Sequence, residues 1–375
     1  MEQLDAVLIW ILYEILFFNI LVLPLLFYYL WGKYSTTLSL LKKKNFCVYL
    51  ILITAFCVLD KSSGDYFHYL DIIKDLSDSP TLTTHLEPFY VWLISVTHGN
   101  YLLFRIIVWG FSTFSIMLLI KHFCLDYNFT YIFFILYVLL FFSYTRAFLS
   151  ISIFFLGYSF LIKPYRELKP LSMFCGLALM LIASLFLHKG TIILLVLFPF
   201  SFLKISKKFF FLLIFLFPFF VYYIDAFIAT LFTNIELVGG NYLLSDKTEV
   251  IGSLGTMIFL VFYFVSVLLL LSRIFSLVTL KKSRIAVPVY VERMYTFTII
   301  ILYVAFVLSF LSYGHAAVSY RLRNMAFIPL FLIISYFENC KEFGKKRVAL
   351  ALFLIIIADN CYLGYMYYLK SVLGL

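Results

Sequence analysis

Charge is what this chain has least of. Only 13% of its 375 residues are Asp, Glu, Lys or Arg, against 64% hydrophobic residues, which excludes a soluble domain. Cysteine is scarce as well. Cys47, Cys57, Cys124, Cys175, Cys340 and Cys361 are scattered, with no C-x-x-C, so they indicate neither a metal centre nor a disulfide framework. An H-E-x-x-H, a P-loop GxxxxGK[ST] and a paired D-x-D are all missing, which leaves nucleotide and metal mechanisms without support. Internal repeats and soluble domain boundaries are not visible, so residues 1–375 read as a single integral membrane domain. The first apolar run follows Glu2 and Asp5 and has no small-residue cleavage site, so we read it as a retained helix.

What the chain does have is apolar runs of about 20 residues from end to end, the length of a membrane-crossing helix. A β-barrel would instead alternate apolar and polar residues. The reading is an all-α, polytopic bundle with spans near 5–31, 45–59, 101–120, 129–143, 147–162, 171–187, 190–203, 208–224, 255–272, 294–313, 321–337 and 347–369. The net charge of +10 reflects short basic loops at 33–44, around Lys121, and at 163–169, 204–208, 273–293 and 341–347. The positive-inside rule makes all of these cytoplasmic. About twelve crossings, starting and ending outside, satisfy every loop, and no nucleic-acid partner is needed to explain the charge.

Two residues break this pattern. Arg146 interrupts the apolar runs 129–143 and 147–162, and His188 interrupts 171–187 and 191–202. A charge at mid-bilayer costs about 3 kcal/mol or more, so such residues read first as functional and otherwise as helix ends reaching water. The outer segment 60–100 holds an amphipathic stretch, 65–76, with Tyr66, Tyr69, Leu70, Ile73 and Leu76 at helical spacing. We expect it to lie in the interface plane. Beyond Glu87-Pro88 an apolar stretch to Val96 is too short to span, and it reads as a re-entrant or half-helix. A second outer segment, 225–254, looks like a loop over a site. Glu87 also suits a helix start, and Asp65 an N-cap. Arg321 and Arg323 open a span on its outer side against the charge rule, which an anion site would explain; an arginine fork matches phosphate oxygens.

Taken in order, Gly64-Asp65-Tyr66, Glu87-Pro88-Phe89-Tyr90, Thr145-Arg146-Ala147, Phe186-Leu187-His188-Lys189-Gly190-Thr191 and Tyr320-Arg321-Leu322-Arg323 resemble the motifs of EpsG-family, Wzy-type polysaccharide polymerases. The likeness covers roughly residues 50–340. It departs at Ala147, where the family often has Gln, and at Lys189, where a small residue is commoner. The resemblance implies a GT-C-like fold and a metal-independent glycosyltransferase without cofactors, in the bacterial plasma membrane with an outward-facing site. It would join repeat units carried on undecaprenyl diphosphate into O-antigen, capsule or exopolysaccharide, with membrane lipid and a chain-length regulator protein as partners. Carried over residue by residue, His188, Arg146 and Glu87 become catalytic, while Asp65, Tyr66, Tyr90, Arg321 and Arg323 bind substrate. Which of His188, Glu87 and Asp65 is the base stays open. So do a glycan ligase and a flippase for the same lipid-linked sugars.

Overall fold

The computed structural model describes residues 54–55, 57–58, 69–75, 86–123, 145–162, 169–203, 212, 216, 287–309, 322–326, 328–330 and 332–333. All regular structure among them is helical, with no strand. Six α-helices carry the description: α1 (Pro88–Val96), α2 (Tyr101–His122), α3 (Thr145–Leu161), α4 (Pro170–Ile182), α5 (Ile192–Leu197) and α6 (Val289–Ser309). Pro170–Leu187, Tyr101–His122 and Val289–Val307 are long and apolar enough to cross a membrane. The spans read at 147–162 and 190–203 are described in full, as shorter apolar helices (Arg146–Leu161 and Lys189–Phe202), and the remaining spans of the twelve-helix reading lie partly or wholly outside the described residues.

Helix α1 starts where the sequence permits it. Pro88 occupies the first turn, where its missing N–H costs nothing, and it holds Glu87 in an extended conformation. Nine residues at 1.5 Å each give about 14 Å, half of a hydrocarbon core, in keeping with a half-helix. The stop is abrupt because His98 and Gly99 both take positive φ, and the Gly99 N–H closes back on Ile94 O at 3.1 Å. Asn100 then caps α2 by accepting from the Leu103 N–H at 3.1 Å. Helix and half-helix thus form a tight hairpin. The helical stretch 69–75 turns Tyr69 and Ile73 inward and leaves Asp71, Lys74 and Asp75 exposed, as its periodicity predicts. Its apolar face packs on protein: Ile73 joins Tyr90, Leu93, Ile94, Phe104, Val108, Leu149 and Leu187 in one buried cluster.

Helix α3 is the central post. Phe148, Ile151, Phe154, Phe155 and Tyr158 on it are all buried, and its buried Ser152 and Ser159 hydroxyls bond back to their own helix. Helix α2 runs parallel to it, with Trp109 against Phe148 (5.0 Å between rings) and His122 against Phe160 (5.3 Å). Helix α4 runs antiparallel and very close. A Cβ on Gly157 would lie 2.6 Å from the Gly176 carbonyl oxygen, and one on Gly176 would lie 2.9 Å from Gly157 O. Small residues permit this approach, and van der Waals contact is what holds helices together where water is absent. Helix α6 packs on α3 through Phe297, 4.8 Å from the Tyr158 ring.

Helix α6 begins earlier than the sequence analysis placed it, at Val289 rather than 294, and so takes Arg293 out of the basic loop. Arg293 Nη1 donates to Ile162 O at 2.9 Å, capping the C-terminus of α3 with a positive charge. The 190–203 stretch, read as one span, is a continuous helical run from Lys189 to Phe202, made of a 3-10 turn (Lys189–Thr191), α5 and a second 3-10 turn (Phe198–Phe202) containing Pro199. Leu203 O accepts from Thr296 Oγ1 at 3.3 Å, which brings that end of the stretch beside Arg293. One end of the bundle therefore collects His122, Ile162, Leu203 and Arg293. Arg146 and His188 lie at the other.

Candidate active site

At that other end, Glu87 is the hub. It holds the N-cap position of α1, yet its carboxylate makes no capping bond. Oε2 instead accepts from Arg146 Nη1 at 2.7 Å, and Oε1 lies 3.0 Å from His188 Nδ1. Side-chain exposures are 6% for Glu87, 13% for His188 and 22% for Arg146, so the cluster is largely withdrawn from water and opens on the arginine side. Ion pairs of this kind are charge-assisted and short. The alternative of Glu87 as a simple helix start does not describe what its side chain does.

Aromatic side chains hold Arg146. Its Nε donates to the Tyr69 hydroxyl, and its guanidinium carbon sits 5.0 Å from the Tyr69 ring centroid and 5.9 Å from that of Tyr90. Such contacts stabilise a cation that has lost hydration. Tyr90 is fully buried and its hydroxyl donates to the Arg146 carbonyl at 3.1 Å. It lies behind the cluster, supporting the backbone of Arg146.

His188 is presented by an irregular segment. Helix α4 widens into a π-turn over Ala183–Leu187, then His188 takes an extended conformation (φ −158°, ψ 113°). Single π-turns within α-helices recur at functional sites. A carboxylate only accepts, so neutral His188 carries its proton on Nδ1, facing Glu87, and keeps the lone pair on Nε2. Nε2 is buried and has no hydrogen-bond partner among the described residues. Gly190 lies directly against it: a Cβ there would sit 2.8 Å from Nε2.

Burial acts to raise the Glu87 pKa, but the His188 hydrogen bond and the nearby positive charge of Arg146 outweigh it. The carboxyl is held below its ordinary 4.5, so Glu87 is ionised at neutral pH.

Of the residues singled out from sequence, Glu87, Arg146, His188 and Tyr90 therefore meet in one place. Arg323 is buried on the helical stretch 322–326. Asp65, Tyr66 and Arg321 lie outside the described residues. Sequence reasoning passed over Tyr69 as a partner of Arg146. It also passed over Arg105, buried in α2, which donates to the Cys57 carbonyl and lies 5.7 Å from the Tyr101 ring centroid. A cation inside an apolar run was the available signal for Arg105; Tyr69 had none beyond its place on an amphipathic face.

Apolar helices of membrane-crossing length, with a buried carboxylate joined at one end to a partly buried guanidinium and imidazole, define a helical membrane protein with a polar site set into the bundle. The EpsG family model matches residues 44–372, most of the chain and every residue of the cluster. The chain belongs to the EpsG family, a Wzy-type polysaccharide polymerase family. Neither a curated protein nor a solved structure matches it.

Proposed function

We propose that this protein is a glycosyltransferase that polymerises undecaprenyl-diphosphate-linked oligosaccharide repeat units at the outer face of the bacterial plasma membrane. The observation that carries this reading is the double engagement of Glu87, which holds Arg146 and His188 together in a member of a polysaccharide polymerase family. In this reading the chain forms a GT-C-like bundle of about twelve spans. The end with Lys121, Lys169 and Arg293 is cytoplasmic and the Glu87 cluster opens outward. Both lipid carriers lie in the surrounding bilayer.

The chemistry follows from the atoms. Glu87 accepts the Nδ1–H of His188 and so fixes the tautomer in which Nε2 is basic. Nε2 takes the proton of a sugar hydroxyl on one repeat unit. That oxygen bonds to the anomeric carbon of the growing chain as the bond from this carbon to the diphosphate oxygen breaks. Undecaprenyl diphosphate leaves with the electron pair. The imidazolium that forms is stabilised by Glu87. Arg146 uses Nη2, which neither the Glu87 nor the Tyr69 bond engages, to stabilise charge growing on the leaving group. Asp65, Tyr66, Arg321 and Arg323 serve substrate binding in this scheme, and Tyr90 acts by holding Arg146.

The test is the surface-glycan length profile of cells lacking the protein and carrying His188→Ala or the wild-type gene. Loss of a base costs about a hundredfold to ten-thousandfold in rate, so stable His188→Ala protein should leave single-repeat or very short products. Absence of surface glycan altogether would indicate a flippase. Polymer of wild-type length would remove His188 from the chemistry.

A further inference from the structure

The π-turn before His188 is tied to α3 by side chains that play no part in the scheme above. The His188 N–H reaches back five residues to the Ala183 carbonyl at 3.1 Å, and that carbonyl also accepts from Ser150 Oγ at 2.8 Å. Ser150 Oγ in turn lies 2.6 Å from Thr191 Oγ1. A hydroxyl has one proton, and that of Ser150 is given to Ala183, so Thr191 donates in the second contact. Thr191 O accepts a longer bond from Ser184 Oγ at 3.4 Å. Ser150, Ser184 and Thr191 are all fully buried, so water does not compete for these groups.

One serine therefore fastens the chain on both sides of His188, and it lies one helical turn from Arg146. If the turn relaxed to ordinary α-helical register, the residues after it would rotate by about 100°. The imidazole would then swing away from Glu87. We propose that Ser150 and Thr191 are positioning residues for His188: their hydroxyl pair holds the π-turn in register against the helix that carries Arg146. This rests on the reading of His188 as the base.

Thr191→Val removes the hydroxyl at nearly constant shape, Thr191→Ser keeps it, and Ser150→Ala removes the other partner. Each is purified in lipid nanodiscs and assayed against lipid-linked oligosaccharide extracted from cells lacking this protein, with melting followed in parallel. A displaced catalytic group costs up to about a hundredfold, so Thr191→Val and Ser150→Ala should lower kcat between about tenfold and a hundredfold with KM little changed. Thr191→Ser should restore most of the rate. In a His188→Ala background Thr191→Val should add no further loss, because the two act on one step. Wild-type kcat in Thr191→Val and Ser150→Ala overturns the inference alone. So does a loss that persists at full size in the His188→Ala background, which would make the pair structural. Wild-type polymerisation by His188→Ala overturns the reading of His188 itself, and the inference with it. Should Ser150→Ala fail to fold, the Thr191→Val and Thr191→Ser comparison still decides the matter.

Discussion

Glu87 and His188 stand 101 residues apart in the chain, and their side chains meet at 3.0 Å between Oε1 and Nδ1. Arg146 reaches the other carboxylate oxygen, so a single acid joins a half-helix, a central helix and a helix break. Removing its charge should be felt in all three. Breaking a buried ion pair costs about 3–5 kcal/mol, and the partial exposure of Arg146 places this one toward or below the low end. Glu87→Gln should lower the melting temperature and reduce polymer to short products, read by thermal scanning and by the glycan ladder. Unchanged stability and ladder together would remove Glu87 as the hub.

Arg146→Lys should also be damaging, although charge is conserved. An ammonium is a point charge and does not reach Glu87 and Tyr69 with the geometry of a planar fork. The expected loss in polymerisation is about tenfold to a hundredfold, for a misplaced group. Tyr69→Phe deletes one partner and keeps the ring under the guanidinium, so it should cost less than Arg146→Lys in the same assay.

Gly190→Ala tests the space before Nε2. The added methyl would stand 2.8 Å from that atom, so the imidazole must move or the acceptor is covered. Activity should fall while the protein remains folded. Gly110→Ala is the control, since a Cβ at Gly110 meets nothing within 4 Å. In a helix interior, alanine there should be neutral or stabilising by up to about 1 kcal/mol.

The cluster also predicts a pH response. The Glu87 carboxyl lies below its ordinary 4.5 in the folded protein. A depressed carboxyl pKa stabilises the fold fully above the unfolded value and loses that contribution as pH falls through the folded one. The difference in melting temperature between wild type and Glu87→Gln should therefore hold steady from neutral pH down to 4.5 and shrink only at more acidic pH. A difference already fading at pH 6 would contradict an ionised, ion-paired Glu87.

Sidedness can be read with single cysteines and an impermeant thiol reagent. Positions 100 and 121 are both exposed and lie at opposite ends of α2. Asn100→Cys should label from outside intact cells, and Lys121→Cys only after permeabilisation. The reverse pattern would turn the Glu87 cluster toward the cytoplasm and remove the lipid-linked substrates from its reach.

The parts of this site that sequence made legible are those that violate the membrane's chemistry. A charge in an apolar run is costly enough to stand out, and Arg146 and His188 did so, with Glu87 marked by the proline after it. The helical face of 69–75 and the shortness of α1 were legible for related reasons: periodicity and length are properties of a string. Ser150, Thr191 and Tyr69 were not legible, because hydroxyls and tyrosines are tolerated almost anywhere in a bundle, and the chain has 29 tyrosines. The π-turn has no sequence signature at all. It exists because Ser150, on another helix, and His188 share the carbonyl it exposes. Arg105 carried the same signal as Arg146, and its ties to the Cys57 carbonyl and the Tyr101 ring emerge only in three dimensions.

Arg293, far from this chemistry, helps to fix the helix on which that chemistry is built. Its guanidinium grips the Ile162 carbonyl at one end of α3, while Glu87, Tyr69 and Tyr90 grip Arg146 at the other. Between them Gly157 is seated against the backbone of α4. A rod of about 25 Å, anchored at both tips and wedged along its length, neither slides nor tilts without breaking several contacts at once. Its neighbours are tied to the same rod: Glu87 and Tyr90 bond to Arg146 from the half-helix, and Thr191 bonds to Ser150 from the stretch after His188. The half-helix, the central helix and the segment after His188 therefore share one frame of reference, and a displacement of any of them is felt at Arg146.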